Sequence, residues 1–271
     1  MGMISINFIK MVGAGNDFII LDNRAGVVKN GLPRLAKALS DRKRSIGSDG
    51  LILLERSKKA DVRMRIFNPD GSEADMCGNG VRCLAKFAAD RKITGTTLSV
   101  ETGAGIIGAE VRKDSVKAKM IEPRDMKLGL CLEVGGRSVE VHFINTGVPH
   151  AVMVTDAVDA VDVFHLGRAI RRHERFAPAG ANANFIAFGK GSEIRVRTYE
   201  RGVEDETLSC GTGSTAGALV AAALEDLKSP VKVRTRGGES LKVFFKRDGD
   251  TFRDVYLEGP VEKSFEGRVS I

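Results

Sequence analysis

The sequence has no tryptophan and only two tyrosines, and aromatic residues make up 6% of it. Its core must therefore be built from aliphatic side chains rather than large rings. No apolar run reaches the roughly 20 residues of a membrane span, so no membrane partner is expected. The opening MGMISINFIKMVGAGND places a lysine and turn residues too early for a secretory h-region. With no export signal, the four cysteines (77, 83, 131 and 210) are expected to stay reduced in the cytosol. There are four histidines, and Cys77 and Cys83 lie six apart. That is not the close cysteine pair of a zinc site, and no metal is expected. The net charge is +7, yet bases and acids are interspersed, as in RSKKADVRMR and RRHERF, with no basic tail or stripe. This pattern argues against nucleic acid and favours an anionic small molecule.

What is present is glycine, 31 residues in 271, with 42% apolar and 28% charged residues. Most segments alternate in the manner of strands. ISINFIKMVG and DFIILD flank a Gly-Ala-Gly-Asn turn. DGLILLE and VRMRIF follow, then a glycine-punctuated meander from TLSVETG to KAKM. The second half repeats the style in RSVEVHFINTG, HAVMVTD, NFIAFGK, EIRVRTYE, VKVRTRGG, LKVFFKRDGD and DVYLEG. LPRLAKALSDRK is a short amphipathic helix and VFHLGRAIRRH a weaker one. Two longer helices are expected, one after Cys77 in EADMCGNGVRCLAKFA and one after Cys210 in ETLSCGTGSTAGALVAAAL.

The halves resemble each other. MRIFNPDGSEADMCGNG (64–80) aligns with VRTYERGVEDETLSCGTG (196–213). Each is a strand ending in an aromatic, a polar turn, acidic residues, then Cys-Gly-x-Gly. GNDFIILD likewise echoes NANFIAF. Two matches in the same order favour an internal duplication. The expected domains are 1–122, completed by a last strand at about 262–271, and 123–261, with the boundary at PRDMKLG.

Cys83 and Cys131 read as small buried hydrophobes. Cys77 and Cys210 differ, because each is expected at a helix N-terminus. Unpaired N–H groups and the helix dipole there favour negative charge and stabilise a thiolate. The Gly-x-Gly that follows lets backbone N–H groups close in on an anion such as a carboxylate. Other chemistries fit less well. Gly211-Thr-Gly213-Ser-Thr-Ala216 matches a dinucleotide loop, but DETLSC is a poor buried strand and a phosphate-loop lysine is absent. A redox pair lacks C-x-x-C, and a single cysteine nucleophile leaves the other cysteine unexplained. Two matched helix ends facing one another across an interdomain cleft would put one thiol on each face of a substrate carbon. One thiolate could take a proton and the opposite thiol deliver one, which inverts a stereocentre without a cofactor.

KMVGAGNDFIILD, RIFNPDGSEADMCGNGVRC, NTGVPHAV, NANF and YERGVEDETLSCGTG closely resemble the diaminopimelate epimerase family, from about residue 8 to 260. The resemblance implies an α/β (α+β) fold, with two pseudo-symmetric domains of mixed sheet each wrapped around a central helix. It implies a cofactor-independent isomerase that converts LL-2,6-diaminoheptanedioate to the meso isomer, for lysine and peptidoglycan synthesis. The implied partner is this small amino acid, with a homodimer as the allowed assembly. By motif, Cys77 and Cys210 match the two acid/base thiols. Gly78, Asn79, Gly211 and Thr212 match the residues that hold the reacting carboxylate. Asn16, Asn68, Asn182, Glu200 and Arg201 match substrate-binding positions, and His150 and Glu200 those that adjust the thiols' protonation.

Two positions depart from the family pattern: Gly50 stands where many members have Gln, and Val148 where many have Asn. Without the family, the asparagines read as turn residues, His150 as a structural loop histidine and Glu200-Arg201 as a solvated pair. Gly78, Asn79, Gly211 and Thr212 read as ordinary helix-entry residues. Two other functions stay open here. One is a related racemase of the proline or hydroxyproline type, though Asn79 stands where those carry histidine. The other is a non-catalytic or nucleotide-binding relative, against which the two cysteines argue.

Overall fold

Leu51, Ile52, Leu53 and Leu54 form an unbroken apolar run because both faces of their strand are covered. Leu51 and Leu53 join one hydrophobic cluster, Ile52 and Leu54 another, and all four are wholly buried. A strand covered on both faces loses the usual alternation. Burying each such side chain contributes about 2 kcal/mol.

The protein is described by a computed structural model covering residues 5–270. The chain divides into two units, one running up to Ala118 and resuming at Gly259, the other Lys119–Glu258. The first contains β1 (Ser5–Gly13), β2 (Asn16–Asp22), α1 (Leu32–Ser40), β3 (Gly50–Glu55), β4 (Val62–Phe67), β5 (Glu73–Ala74), α2 (Gly78–Asp90), β6 (Thr97–Thr102), β7 (Gly105–Val111) and β8 (Ser115–Lys119). The second contains β9 (Arg124–Val134), β10 (Arg137–Asn145), β11 (Pro149–Val154), α3 (Val163–Arg171), β12 (Asn182–Phe188), β13 (Glu193–Glu200), β14 (Asp205–Thr207), α4 (Gly211–Glu225), β15 (Val231–Arg234), β16 (Ser240–Asp248) and β17 (Thr251–Pro260). Strand β18 (Glu262–Ser270) returns to pair antiparallel with β1.

The ladders of the two units match strand for strand. The first runs β18-β1-β2-β3-β4-β6-β7-β8, parallel only at β2–β3 and β4–β6. The second runs β9-β10-β11-β12-β13-β15-β16-β17, parallel only at β11–β12 and β13–β15. In each, a short strand (β5 or β14) pairs with the end of the preceding strand just before the long helix. In this arrangement β12 corresponds to β3, and β2 to β11. The echo between GNDFIILD and NANFIAF is therefore a coincidence of composition. Short apolar strands carry little positional information.

Each unit sandwiches its sheet between helices. In the first, α1 packs on one face with Leu51 and Leu53, and α2 on the other with Ile52 and Leu54. In the second, α3 covers the face of Ala183, Phe185 and Tyr199. Gly167 of α3 sits so close to Tyr199 that an added Cβ would lie 2.5 Å from the tyrosine Cβ. On the other face Gly217 of α4 lies against Ile186 and Ile194. Residues 79–85 of α2 and 213–222 of α4 are all buried, so both helices are enclosed on every side.

The units divide at Ala118/Lys119, a few residues before the expected boundary at PRDMKLG, which opens the 11-residue strand β9. Cys131 is exposed rather than buried. Strand β9 pairs with β10 and is exposed along most of its length. Its apolar residues alternate, Met126, Leu128, Leu130, Leu132 and Val134 against Lys127, Gly129, Cys131 and Glu133, and Cys131 falls among the exposed residues. Among the described residues, no helix is long and apolar enough to cross a membrane. No cluster of three or more His, Cys, Asp or Glu suited to a metal occurs among them either.

Candidate functional site

Each unit starts its enclosed helix with a cysteine. Cys77 is the N-cap of α2 in extended conformation (φ −142°, ψ 118°), and its Sγ accepts the Gly80 N–H at 3.4 Å. Cys210 caps α4 in the same way (φ −117°, ψ 114°), accepting the Gly213 N–H at 3.4 Å. Ser, Thr, Asn and Asp are the effective caps, and a thiol sulfur is a weak acceptor. Helix stability therefore gives no reason for cysteine at both ends, whereas a thiolate suits the position well. The next N–H groups, of Val81 and Ser214, return to the cysteine carbonyls at 2.8 Å. The N–H groups of Gly78 and Asn79, and of Gly211 and Thr212, are those each helix cannot satisfy itself. Each end thus offers an anion two donors beside a sulfur.

The second glycine of each motif has a different role from the one expected. An added Cβ at Gly80 would meet the Cδ1 methyls of Ile52 and Ile66 at 3.1 and 3.2 Å. At Gly213 it would meet Asn184 Oδ1 at 2.4 Å and Thr198 Oγ1 at 3.1 Å. These glycines let the first helical turn lie on its sheet. Ile52 and Ile66 pair across β3 and β4 as Asn184 and Thr198 pair across β12 and β13. The duplicated position is apolar in one unit and polar in the other.

In the first unit a directed chain of hydrogen bonds runs under the Cys77 turn. Arg82 Nη2 donates to Asn79 Oδ1 at 2.7 Å, Asn79 Nδ2 to Asn16 Oδ1 at 2.6 Å, and Asn16 Nδ2 to Asp49 Oδ2 at 3.0 Å. Arg42 pairs with Asp49 and Asp17, and Lys10 with Asp17. Asp17 is held well below the usual carboxylate range: the Arg42 and Lys10 bonds outweigh burial, the largest single influence, which acts the other way. Arg82 is wholly buried, and its Nε has no partner among the described residues. Burial pushes its guanidinium below the ordinary value, and the sulfurs of Cys83 and Cys77 act in the opposite direction. Cys83 is pushed up to about 12 by burial, an inert core thiol as the sequence suggested.

In the second unit the Cys210 turn gathers Glu200, His150, Asn182 and Arg201. Glu200 Oε2 accepts from Thr207 Oγ1 at 2.9 Å. Burial raises its carboxyl above the ordinary range, against hydrogen bonds from Thr207 and Cys210. The Cys210 Sγ lies 3.5 Å from Thr212 Oγ1, and Thr146 Oγ1 donates to the Thr212 carbonyl at 3.1 Å. His150 is wholly buried and lowered to about 3, chiefly by burial, with the charge of Arg201 assisting. Asn182 ties two backbones together: it donates to Pro149 O at 3.1 Å and accepts the Arg201 N–H at 2.8 Å. Among the described residues no carboxylate pairs with the Arg201 guanidinium, which is thus available to an anion. Glu200 and Arg201 are therefore not a solvated pair.

Of the expected residues, Asn16, Cys77, Gly78 and Asn79 come together in one unit, and His150, Asn182, Glu200, Arg201, Cys210, Gly211 and Thr212 in the other. Asn68 lies in the exposed turn between β4 and β5, with Nδ2 donating to Ser72 Oγ at 2.9 Å. Gly50 is the first residue of β3 rather than part of a loop. An added Cβ there would lie 3.0 Å from the Phe67 carbonyl. Val148 sits in the turn before β11, its carbonyl accepting the Thr146 N–H.

Sequence reasoning passed over Arg82, Asp49, Asn184 and Thr198. A charged residue inside an otherwise apolar helical stretch was the available signal for Arg82. Asn184 was visible only as the second asparagine of NANF.

The diaminopimelate epimerase family model matches residues 8–124 and 142–264. A diaminopimelate epimerase of Aquifex aeolicus is 44% identical over 98% of this chain and 98% of its own length. One from Archaeoglobus fulgidus is 42% identical over 97% and 95%. Among solved structures, a Bacillus anthracis phenazine biosynthesis protein of the PhzF family superposes with a TM-score of 0.79 at 18% identity, covering 99% of this chain and 100% of that one. A probable proline racemase from Agrobacterium radiobacter superposes with a TM-score of 0.70 at 16% identity, covering 97% and 92%. At such identities these two likenesses concern the fold alone.

Proposed function

The chain belongs to the diaminopimelate epimerase family, and from that premise we propose that it converts LL-2,6-diaminoheptanedioate to the meso isomer with Cys77 and Cys210 as paired acid and base. The protein is an isomerase. The observation that carries the two-thiol reading is the repeated cap: a cysteine sulfur at the N-terminus of each enclosed helix, beside two N–H groups the helix leaves open.

In this reaction one cysteine, as thiolate, removes the α-proton, and the other, as thiol, delivers a proton to the opposite face of the carbon. The electron pair left on the α-carbon spreads into the carboxylate. N–H groups of Gly78, Asn79, Gly211 and Thr212 stabilise that charge as it develops. Arg201 offers a planar fork to a carboxylate, and Asn16, Asn68 and Asn182 supply polar contacts for the substrate. Glu200, bonded to Cys210, and neutral His150 bias the Cys210 proton. In the reverse direction the two thiols exchange roles.

Incubation with diaminopimelate in deuterated water under reducing conditions tests this reading. Deuterium should appear at the α-carbon together with the inverted isomer. Absence of exchange would sink the proposal. Proline and hydroxyproline assayed alongside should give no turnover, and turnover of either one alone would replace the substrate assignment.

A further inference from the structure

Arg82 is the largest wholly buried side chain of the molecule. A buried charge without a partner costs several kcal/mol. A cation in the second turn of a helix also lies on the side of the dipole's positive end, a weaker opposition. Both effects count against arginine here, and its contacts do not offset them. Its hydrogen bonds go to the Asn79 Oδ1 at 2.7 Å and, at 3.5 Å, to the Gly78 carbonyl, both neutral acceptors. Its Nε–H is buried without an acceptor among the described residues. Cys77 and Cys83 are the groups whose charge acts on the guanidinium.

The position has a counterpart five residues after the other capping cysteine. There Thr215 is buried, and its Oγ1 bonds the Gly211 carbonyl at 2.9 Å. The duplicated helix thus folds without a cation at this place, so packing does not demand one. The charge is peculiar to the Cys77 end.

We propose that Arg82 is a positioning residue of the Cys77 half-site, whose buried positive charge favours the thiolate of Cys77 and whose hydrogen bond sets the orientation of Asn79. The proposal rests on the two-thiol reading and adds the source of an inequality between the thiols. At the Cys77 end the cation is buried inside the capped helix itself, whereas the helix of Cys210 carries none and the titratable groups there, Glu200, His150 and Arg201, come from other elements. Asp75 precedes Cys77 by two residues. Helix α2 presents Arg82 and Cys83. The packed strands present Ile52 and Ile66 to the turn. The carboxylate of Asp49, with Asp17, Arg42 and Lys10 behind it, reaches the turn only through the Asn16 and Asn79 amides. Because the relay runs from donor to acceptor all the way from Arg82 to Asp49, neither amide can flip without breaking a bond at each end.

The test compares the native protein with Arg82→Gln, which keeps a donor for Asn79 but removes the charge, and Arg82→Lys, which keeps the charge. Iodoacetamide alkylation of Cys77, resolved from the other cysteines by peptide fragmentation, is followed as a function of pH under reducing conditions. Arg82→Gln should move the Cys77 midpoint up by about one pH unit, with a rate at pH 7 about tenfold lower. Arg82→Lys should stay near native, and exposed Cys131 should serve as an unmoved internal control. The acidic limb of the kcat/KM profile for diaminopimelate should move with the alkylation midpoint. Coincident midpoints in native protein and Arg82→Gln would overturn the proposal. If circular dichroism shows Arg82→Gln unfolded, Arg82→Lys decides: a folded lysine variant with its midpoint displaced upward also overturns it. Native protein inactive on diaminopimelate would count against the proposed function but leave the alkylation comparison standing.

Discussion

The side-chain amide of Asn184 donates to Nδ1 of His150 at 3.0 Å, and this bond fixes where the imidazole carries its proton. The same amide nitrogen lies 3.1 Å from the Ala151 carbonyl and 3.4 Å from that of Asn182, while Oδ1 accepts from Thr198 Oγ1. An amide nitrogen does not accept, so Nδ1 at 3.0 Å must present its lone pair to one of the two hydrogens, which leaves the other for the nearer carbonyl, that of Ala151. The proton of the neutral ring sits on Nε2, which is buried without a partner among the described residues. His150 is thus a preset hydrogen-bond donor. Replacing Asn184 by alanine should release the tautomer and take away the acceptor of the buried Thr198 hydroxyl. The expected cost is about 1–3 kcal/mol in urea unfolding. Histidine ¹H–¹⁵N spectra should show His150 losing its Nε2–H preference. An unchanged tautomer would reject the assignment.

The pH dependence of stability follows from the same ring. An unfolded histidine takes up a proton near 6.5, but His150 in the folded protein does so only near about 3. Between these values the unfolded chain binds the extra proton, so stability falls as the pH drops through 6.5 toward 3, on the order of 1 kcal/mol per unit. Above 6.5 the contribution vanishes. Glu200 acts in the opposite sense, because its raised carboxyl accepts a proton in the folded state first. Urea unfolding of native protein and His150→Gln between pH 4.5 and 7.5 isolates the histidine. Native protein should lose stability relative to the variant as the pH falls, and parallel curves would contradict this.

Cysteine is a poor helix cap and serine a good one, so Cys77→Ser and Cys210→Ser separate chemistry from folding. Each variant should match native stability within about 1 kcal/mol or exceed it. Each should lose epimerisation by at least about a hundredfold, the scale of a missing acid or base. A serine variant that retains near-native turnover removes its cysteine from the reaction.

The two packed glycines should respond differently to a methyl group. Gly80→Ala presses on the free ends of Ile52 and Ile66, which can swing aside. Gly213→Ala presses on Asn184 Oδ1, which is locked by its neighbours. We expect about 1 kcal/mol for the first and 2–3 kcal/mol for the second. Calorimetry of the pair checks the order, and a reversed order would refute the packing account.

Much of this was legible in the residues. The Cys-Gly-x-Gly motifs announced two helix ends, and the strand-turn-acid pattern before each announced the repeated unit that β4-β5-α2 and β13-β14-α4 form. The failures have physical causes. In β9 the apolar residues alternate, but the strand is exposed along most of its length, which leaves Cys131 on the surface where burial was expected. NANFIAF resembles GNDFIILD only because short covered strands draw on the same few apolar residues. The second glycines were assigned to anion approach because a sequence does not show which sheet residue lies beneath a helical turn.

Local chemistry, set by neighbours along the chain, was therefore determined by the sequence itself: sulfur at a helix N-terminus, unsatisfied N–H groups after it, and the duplication. The electrical character of each half-site was decided only by tertiary structure. Arg82 becomes a buried charge because α2 is enclosed on every side. Asn16 meets Asn79 from 63 residues away, and Asn184 fixes His150 from a neighbouring strand 34 residues on. Desolvation and hydrogen-bond direction depend on what surrounds a group in space. Two similar motifs could thus be read from the residues, but the inequality between them could not.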